Sequence, residues 1–217
     1  MRFSAPDAAE RARRVRLMIF DVDGVLTDGR LWYGPAGEEL KAFHSFDGHG
    51  MKMLAAAGIA CAVLSGRRSG AVAARCGELG VEHVLQGIDD KLAAFEGLHR
   101  ALALAAQDCG FMGDELVDLP VLERCGFACA PPEAREPVRG CAHYVASTPA
   151  GYGAAREVCE FILQAHGKLE RALREHEHQR EREQARGRQP HAPGSRSARS
   201  SLPCACRMNS HTSRAAP

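Results

Sequence analysis

Two carboxylates spaced i, i+2, Asp21 and Asp23, stand at the end of the apolar run Leu17-Met18-Ile19-Phe20, and Gly24-Val25-Leu26-Thr27-Asp28-Gly29 follows. On a strand such a pair shares one face. Two like charges that close cost stability unless a cation or a shared proton compensates. Val22 between them continues the apolar pattern, so the chain is expected to stay extended over 17–22 while both acids emerge at the strand's C-terminal end. Ligands of open α/β sheets bind at that edge. A carboxylate can attack phosphorus and form an aspartyl-phosphate, dividing one hard step into two. A second carboxylate close by can protonate the leaving alcohol and then deprotonate the attacking water. Asp21 is therefore the candidate nucleophile and Asp23 the candidate acid and base of a magnesium-dependent phosphoryl transfer. An isolated Asp-x-Asp also serves as an N-cap or a tight turn; the longer string favours the chemistry.

Three further groups fit that reaction. Ser65 and Gly66 follow the apolar stretch 59–64. A hydroxyl and free amides at a helix start can cradle a phosphate, although Ser-Gly after a strand is also an ordinary N-cap. Lys91 begins a predicted helix, where a cation opposes the helix dipole. Neutralising a transferred phosphate accounts for it; a solvated surface lysine is the alternative. Asp114, Glu115 and Asp118 place three acids within five residues after the run 109–112. Acids at a helix start favour the dipole, but beside Asp21 they become metal ligands. Magnesium, which takes oxygen ligands in an octahedron, would be held by Asp21, a backbone carbonyl near Asp23, and Asp114.

The elements that must position these residues alternate. Predicted strands at 17–22, 59–64, 83–85 and 109–112 are separated by helical patterns beginning near 48–50, at 71–79 and at 91–106, with a further helix at 151–167. Strand–helix alternation predicts βαβ units and a parallel sheet with right-handed crossovers. In that sheet Asp21/Asp23, Ser65 and Asp114 share one edge. Segments 31–34 and 38–43, joined by Gly34-Pro35-Ala36-Gly37, read as a β-hairpin. It carries the only Trp, Trp32, beside Tyr33. A lone hairpin is marginal, so these rings are expected to pack on a partner or on their own domain.

At 217 residues the chain is long enough for one domain with an appendage. The domain is expected at 15–170, after a polar, partly helical lead-in at 1–14. The net charge of +1 conceals an asymmetry, because residues 171–217 hold ten Arg against four Glu and the rest holds 18 Lys+Arg against 23 Asp+Glu. An acidic body argues against nucleic acid as partner, since that binding needs clustered Lys and Arg. Residues 168–186 are charged and helix-prone, and 187–217 have too few aliphatics to form a core, so that last stretch is expected to be disordered. Nine cysteines without a Cys-x-x-Cys pair read as free thiols and suit a reducing cytoplasm. Neither a signal-peptide apolar region nor a membrane-spanning run is present, so no membrane is expected.

The four chemical elements, in this order, resemble the haloacid dehalogenase superfamily of phosphatases. Asp21-Val22-Asp23 resembles its first motif, Ser65 the second, Lys91 the third and Gly113-Asp114-Glu115 with Asp118 the fourth. The superfamily's cap domain has no room here: the first interval holds only the 31–43 hairpin and the second runs from Ser65 to Lys91. Within the superfamily the chain is similar to the capless 3-deoxy-D-manno-octulosonate 8-phosphate phosphatase family. That similarity is carried by D-V-D-G-V-L-T-D-G at 21–29, G-E-E-L-K-A-F at 37–43, D-G-H-G at 47–50, S-G-R-R at 65–68, Q-G-x-x-D-K at 86–91 and G-A-x-R-E-V-C at 153–159.

The resemblance implies an α/β fold, a Rossmann-like parallel sheet with helices on both faces and the small hairpin insertion. It implies Mg2+-dependent hydrolysis of the octulosonate 8-phosphate in lipopolysaccharide precursor synthesis, with Asp21, Asp23, Ser65 and Lys91 catalytic and Asp21, Asp23 and Asp114 at the metal. It also implies a homotetramer whose hairpins form a central barrel and whose neighbouring subunits complete each active site. A sister branch acting on sialic-acid-type 9-phosphates carries Glu where this chain has Arg67, which favours the octulosonate branch. Arg67 and Arg75 are then contacts to the sugar-acid carboxylate across the subunit boundary, or ordinary helix-surface arginines; Thr27 and Gly66 are placed at the substrate with them. Glu115 departs from the second aspartate of many relatives, and Phe46 from a position often polar. A non-catalytic assembly module is the contrasting reading, and the presence of Asp21, Asp23, Lys91 and Asp114 together argues against it.

Overall fold

The apolar runs become strands of one seven-stranded sheet in the computed structural model, which describes residues 3–174. In chain order the first elements are β1 (Phe3–Ser4), α1 (Ala8–Arg14), β2 (Leu17–Phe20), β3 (Trp32–Tyr33), β4 (Glu39–Leu40), α2 (Ser45–Ala56), β5 (Ala60–Ser65) and α3 (Gly70–Leu79). Then come β6 (His83–Gln86), α4 (Lys91–Ala101), β7 (Cys109–Met112), α5 (Leu119–Arg124), β8 (Phe127–Ala130), α6 (Glu136–Cys141), β9 (Tyr144–Val145) and α7 (Ala154–Ala165). The sheet order is β1-β9-β8-β7-β2-β5-β6, parallel throughout except for the edge strand β1. This is the haloacid-dehalogenase-like α/β architecture.

β2 lies at the centre and shows why both faces need helices. Alternate side chains of a strand point to opposite faces, and all four of its residues are buried. Met18 and Phe20 enter one core with Ala12 of α1, Leu54 of α2 and Val158 and Ile162 of α7. Leu17 and Ile19 enter the other with Phe95 of α4, Val121 and Leu122 of α5 and Val138 of α6. Each such side chain contributes about 1.5–3 kcal/mol by leaving water, so the centre of the sheet is where a rigid site can be anchored.

Several bounds differ from those read in the sequence. The first long strand stops at Phe20 rather than at 22, because the Val22 carbonyl accepts the amides of Val25, Leu26 and Thr27 at 3.2, 2.9 and 3.0 Å and the chain curls into a turn. The helix expected over 91–106 ends at Ala101, where Ala103 takes a positive φ of 52°. α2 begins at Ser45, earlier than the Gly48-His49-Gly50 start, with the His44 ring accepting the Phe46 amide at 3.2 Å. Residues expected as a lead-in take part in the fold: Phe3 and Ser4 pair with Val145 and Tyr144, and Ala8 and Ala12 are buried. β8, β9, α5 and α6 were not anticipated as elements. The tail at 175–217, with Cys204 and Cys206, lies outside the described residues. Cys61, Cys76, Cys109, Cys125, Cys129, Cys141 and Cys159 are free thiols, as read. Among the described residues no helix is long and apolar enough to cross a membrane.

The hairpin forms a separate two-stranded sheet, with Trp32 opposite Leu40 and Tyr33 opposite Glu39. Its polarity is inverted. Trp32, Tyr33 and Leu40 are 56%, 60% and 58% exposed, whereas the Lys41 side chain is 1% exposed.

Candidate active site

In the neighbouring parallel strands β7, β2 and β5, Phe20 is in register with Met112 and Val63, and β5 continues two residues to end on Ser65. The C-terminal ends of these strands and the residues just beyond them therefore bring Asp21, Ser65 and Asp114 to one edge, as the alternation predicted. Asp21 is fixed there by its own backbone, its amide donating to the Met112 carbonyl at 3.0 Å. One carboxylate oxygen accepts the Val22 amide at 2.7 Å and the other accepts Lys91 Nζ at 2.8 Å.

Lys91 is the first residue of α4, and its reason for opposing the helix dipole is now visible. Asp90 caps the helix by accepting the Ala93 amide at 2.9 Å, while Lys91 turns inward between Asp21 and Asp118, 2.6 Å from the latter. Asp118 is fully buried, and its second oxygen accepts the amides of Asp114 and Glu115 at 3.0 and 3.2 Å. Sequence reading left Asp118 as one acid of a crowded trio; the structure makes it the post that orients both Lys91 and the Asp114 turn. Gly113 permits this close approach, since a side chain there would overlap Asp118.

Asp21, Asp114 and Asp118 each present an oxygen within 4.8 Å of the other two. Asp114 Oδ1 is buried with no hydrogen-bond partner among the described residues. Gly24, at φ 83°, makes room for it, because a methyl on Gly24 would overlap the Asp114 carboxylate. Three carboxylates against the single Lys91 ammonium leave two negative charges unbalanced. The titration of the group records that imbalance. Burial, then Asp118, push the Asp21 carboxyl up to about 6 against the pull of Lys91. Burial, then Asp21 and Asp118, push Asp114 up to about 7. Lys91 is held above its ordinary value: burial opposes its charge, but Asp21 and Asp118 outweigh burial. An orphaned buried oxygen, clustered carboxylates and two unbalanced charges fit a hard divalent cation.

Asp23 does not stand on a strand face with Asp21. It lies on the turn, where its carboxylate accepts Lys41 Nζ, receives the Thr27 hydroxyl at 3.5 Å and faces Arg67 Nε at 3.7 Å. Its side chain is thus engaged by Lys41, Thr27 and Arg67 and is not one of the three carboxylates that close on one another. Thr27, expected at the substrate, is buried and donates to the Val22 carbonyl at 3.3 Å while accepting the Gly29 amide at 3.3 Å, so it braces the turn. Ser65 is buried and its oxygen accepts the Arg67 amide at 3.4 Å, which leaves its proton free to donate. Gly66 is open, with the nearest neighbour of a built Cβ at 3.6 Å.

Arg67 is engaged within its own chain, donating to Tyr33 Oη at 2.9 Å and Glu39 Oε1 at 3.0 Å on the hairpin. Arg75 is not brought to this edge; it pairs with Glu78 at 3.0 Å and covers Gly48 on α2. Glu115 is also turned away, capping the turn at Leu116 and meeting Arg135 at 3.4 Å, and Phe46 is exposed beside His44. Sequence reading missed Lys41 and Glu39. The available signal was a lysine at i+2 from a glutamate, with the apolar Leu40 between them, in a short hairpin.

No family model matches the chain. The 3-deoxy-D-manno-octulosonate 8-phosphate phosphatase KdsC of Salmonella typhimurium is 42% identical over 168 residues, covering 77% of this chain and 89% of the relative. The chain belongs to the 3-deoxy-D-manno-octulosonate 8-phosphate phosphatase family. Solved members of the family share its fold. The Moraxella catarrhalis phosphatase, in complex with a magnesium ion, a phosphate ion and a KDO molecule, is 38% identical with a TM-score of 0.76 over 77% of this chain and 96% of its own. The cobalt-bound Haemophilus influenzae phosphatase is 41% identical with a TM-score of 0.71, covering 73% and 93%.

Proposed function

We propose that the protein is a magnesium-dependent phosphomonoesterase that hydrolyses 3-deoxy-D-manno-octulosonate 8-phosphate, in lipopolysaccharide precursor synthesis. The observation that carries this is the trio Asp21, Asp114 and Asp118 gathered around Lys91 at the edge of the parallel sheet, in a chain of this family. Asp21, Asp114 and the backbone at Asp23 would hold the Mg2+, with Asp118 beside them. Bound there, the ion supplies charge neutralisation and a fixed orientation for the phosphate.

The chain's own groups divide the remaining work. Asp21 attacks phosphorus through a carboxylate oxygen, and its Val22 and Lys91 contacts fix the approach. Lys91, the Ser65 hydroxyl and the Gly66 amide hold the phosphate oxygens. As the ester bond breaks, Asp23 gives its proton to the leaving alkoxide. In the second half it takes a proton from water as that water attacks the aspartyl-phosphate and releases Asp21. Arg67 recognises the sugar-acid carboxylate through guanidinium N–H groups beyond those it gives to Tyr33 and Glu39.

The inverted hairpin supports a homotetramer with shared active sites. Trp32, Tyr33 and Leu40 present an apolar outer face that a partner hairpin would cover, and Arg75, remote from Asp21 in its own chain, would serve a neighbour. Cytoplasmic location is supported by the free thiols Cys61 to Cys159. The test is phosphate release with Mg2+, comparing octulosonate 8-phosphate with a sialic-acid 9-phosphate and using Asp21→Asn as control. Preference for the first, lost in the variant, is the expected outcome; preference for the second would overturn the substrate assignment.

A further inference from the structure

Lys41 is a buried ammonium with two acidic partners. It sits against Asp23 Oδ1, and Glu39 Oε1 lies 3.3 Å away. Glu39 is braced in turn by Arg67 at 3.0 Å, and Arg67 approaches the second Asp23 oxygen at 3.7 Å. Both oxygens of Asp23 are therefore addressed by cations, one delivered by the hairpin and one by the loop after β5. Glu39 and Lys41 are two residues apart and share the inner face of the hairpin, while Leu40 between them faces outward.

A buried ion pair of this kind is a weak source of stability, since apolar side chains of similar volume often serve the fold as well. What it fixes is orientation. A general acid and base works only if its carboxylate stays within reach of the reacting oxygen, and Asp23 stands on a turn rather than on a strand. We propose that Lys41 is a positioning residue for Asp23, its buried ammonium braced by Glu39 and opposed by Arg67 so that the proton-moving carboxylate is held over the reaction. The proposal rests on Asp23 being the acid and base. In the first half the Asp23 proton passes to the ester oxygen as the phosphorus–oxygen bond breaks and the Asp21–phosphorus bond forms. Lys41 stabilises the carboxylate left behind. In the second half that carboxylate takes a proton from water as the water–phosphorus bond forms and the Asp21–phosphorus bond breaks.

The experiment is single-turnover phosphoryl transfer by the full chain in excess, with Mg2+. Octulosonate 8-phosphate and glycerol 3-phosphate, whose alkoxides need a proton to leave, are compared with p-nitrophenyl phosphate, whose phenolate leaves without one. Lys41→Met is expected to slow transfer from the alkyl esters about 100-fold and from the aryl ester less than ~10-fold. The half-saturating concentration should change less than ~3-fold, and Lys41→Arg should recover part of the loss. Asp23→Asn is the reference. If it shows no split between alkyl and aryl esters, the acid–base reading fails and the Lys41 proposal with it. If it shows the split and Lys41→Met does not, the Lys41 proposal alone is overturned. Turnover of glycerol 3-phosphate without octulosonate 8-phosphate would refute the substrate and leave this comparison intact. Should Lys41→Met fail to fold by circular dichroism, Glu39→Gln carries the same test: slowing confined to the alkyl esters supports the proposal, and equal slowing or none overturns it.

Discussion

Glu157, in the first turn of α7, offers a quantitative test of how the fold holds its site. Its carboxylate accepts the Ser147 amide and hydroxyl at 3.0 and 3.0 Å, the Thr148 amide and hydroxyl at 2.9 and 2.7 Å, and the Tyr144 hydroxyl at 2.9 Å. Through this clamp α7 holds the segment that follows β9. That segment carries Gly151, whose amide donates to the Val25 carbonyl at 3.2 Å, inside the turn that bears Asp23. Burial raises the Glu157 carboxyl, but the Thr148 hydroxyl, the Ser147 amide and the Tyr144 hydroxyl outweigh it and bring it from 4.5 to about 2.

A folded pKa below the unfolded one contributes stability above the unfolded value and loses it as pH falls toward the folded value. The window here runs from about 4.5 down to about 2. The full shift would correspond to about 3 kcal/mol at 1.36 kcal/mol per unit; solvent screening at this partly exposed carboxylate reduces the expectation to ~2 kcal/mol. Glu157→Gln mimics the protonated acid. Urea unfolding at pH 7 should therefore show the variant ~2 kcal/mol less stable, a midpoint some 4–8 °C lower on heating. Near pH 3.5 the difference should have shrunk by about 1 kcal/mol. A difference that is absent at pH 7, or constant with pH, would refute the reasoning.

Three other outcomes follow from the site and the hairpin. Gly24→Ala should cost about 1–2 kcal/mol for a left-handed backbone and, by displacing Asp114, should also reduce Mg2+-dependent phosphate release; thermal unfolding and activity check both. At 100 times its Kd, Mg2+ should stabilise the protein by about 2.7 kcal/mol, and chelation should abolish activity; Asp114→Asn should lose most of that thermal shift, and an unchanged shift would remove Asp114 from the metal. Replacing the outward apolar pair, Trp32→Glu with Leu40→Lys, should shift the protein to single chains in sedimentation while circular dichroism stays unchanged; an unaltered assembly would exclude the hairpin from the interface.

Much of the site was legible because strand order follows from strand–helix alternation, and a parallel sheet puts all its C-terminal ends on one edge. Asp21, Ser65, Lys91 and Asp114 converge there for that reason. What periodicity could not show is where a strand stops. The Val22 carbonyl gathers three amides, and this closes the turn on which the Asp23 carboxylate meets Lys41 of the hairpin. Lys41, and the role though not the presence of Asp118, were hidden for a related reason. A charged residue in sequence reads as surface, and only the approach of Lys91, or of Asp23 and Glu39, makes burial tolerable. Thr27 was placed at the substrate, whereas in the fold its hydroxyl is engaged with the Val22 carbonyl. β8 escaped because a run of Ala and Cys after Phe127 carries little strand signal, and β9 because Tyr144-Val145 is only two residues long.

The most direct test of the central claim is to stop the reaction with acid during steady turnover of octulosonate 8-phosphate and map the phosphorylated residue by peptide mass spectrometry. Phosphate on the peptide containing Asp21, absent from Asp21→Asn, is the predicted result. Full turnover with no acid-stable phosphopeptide, or phosphate carried by another residue, would contradict it.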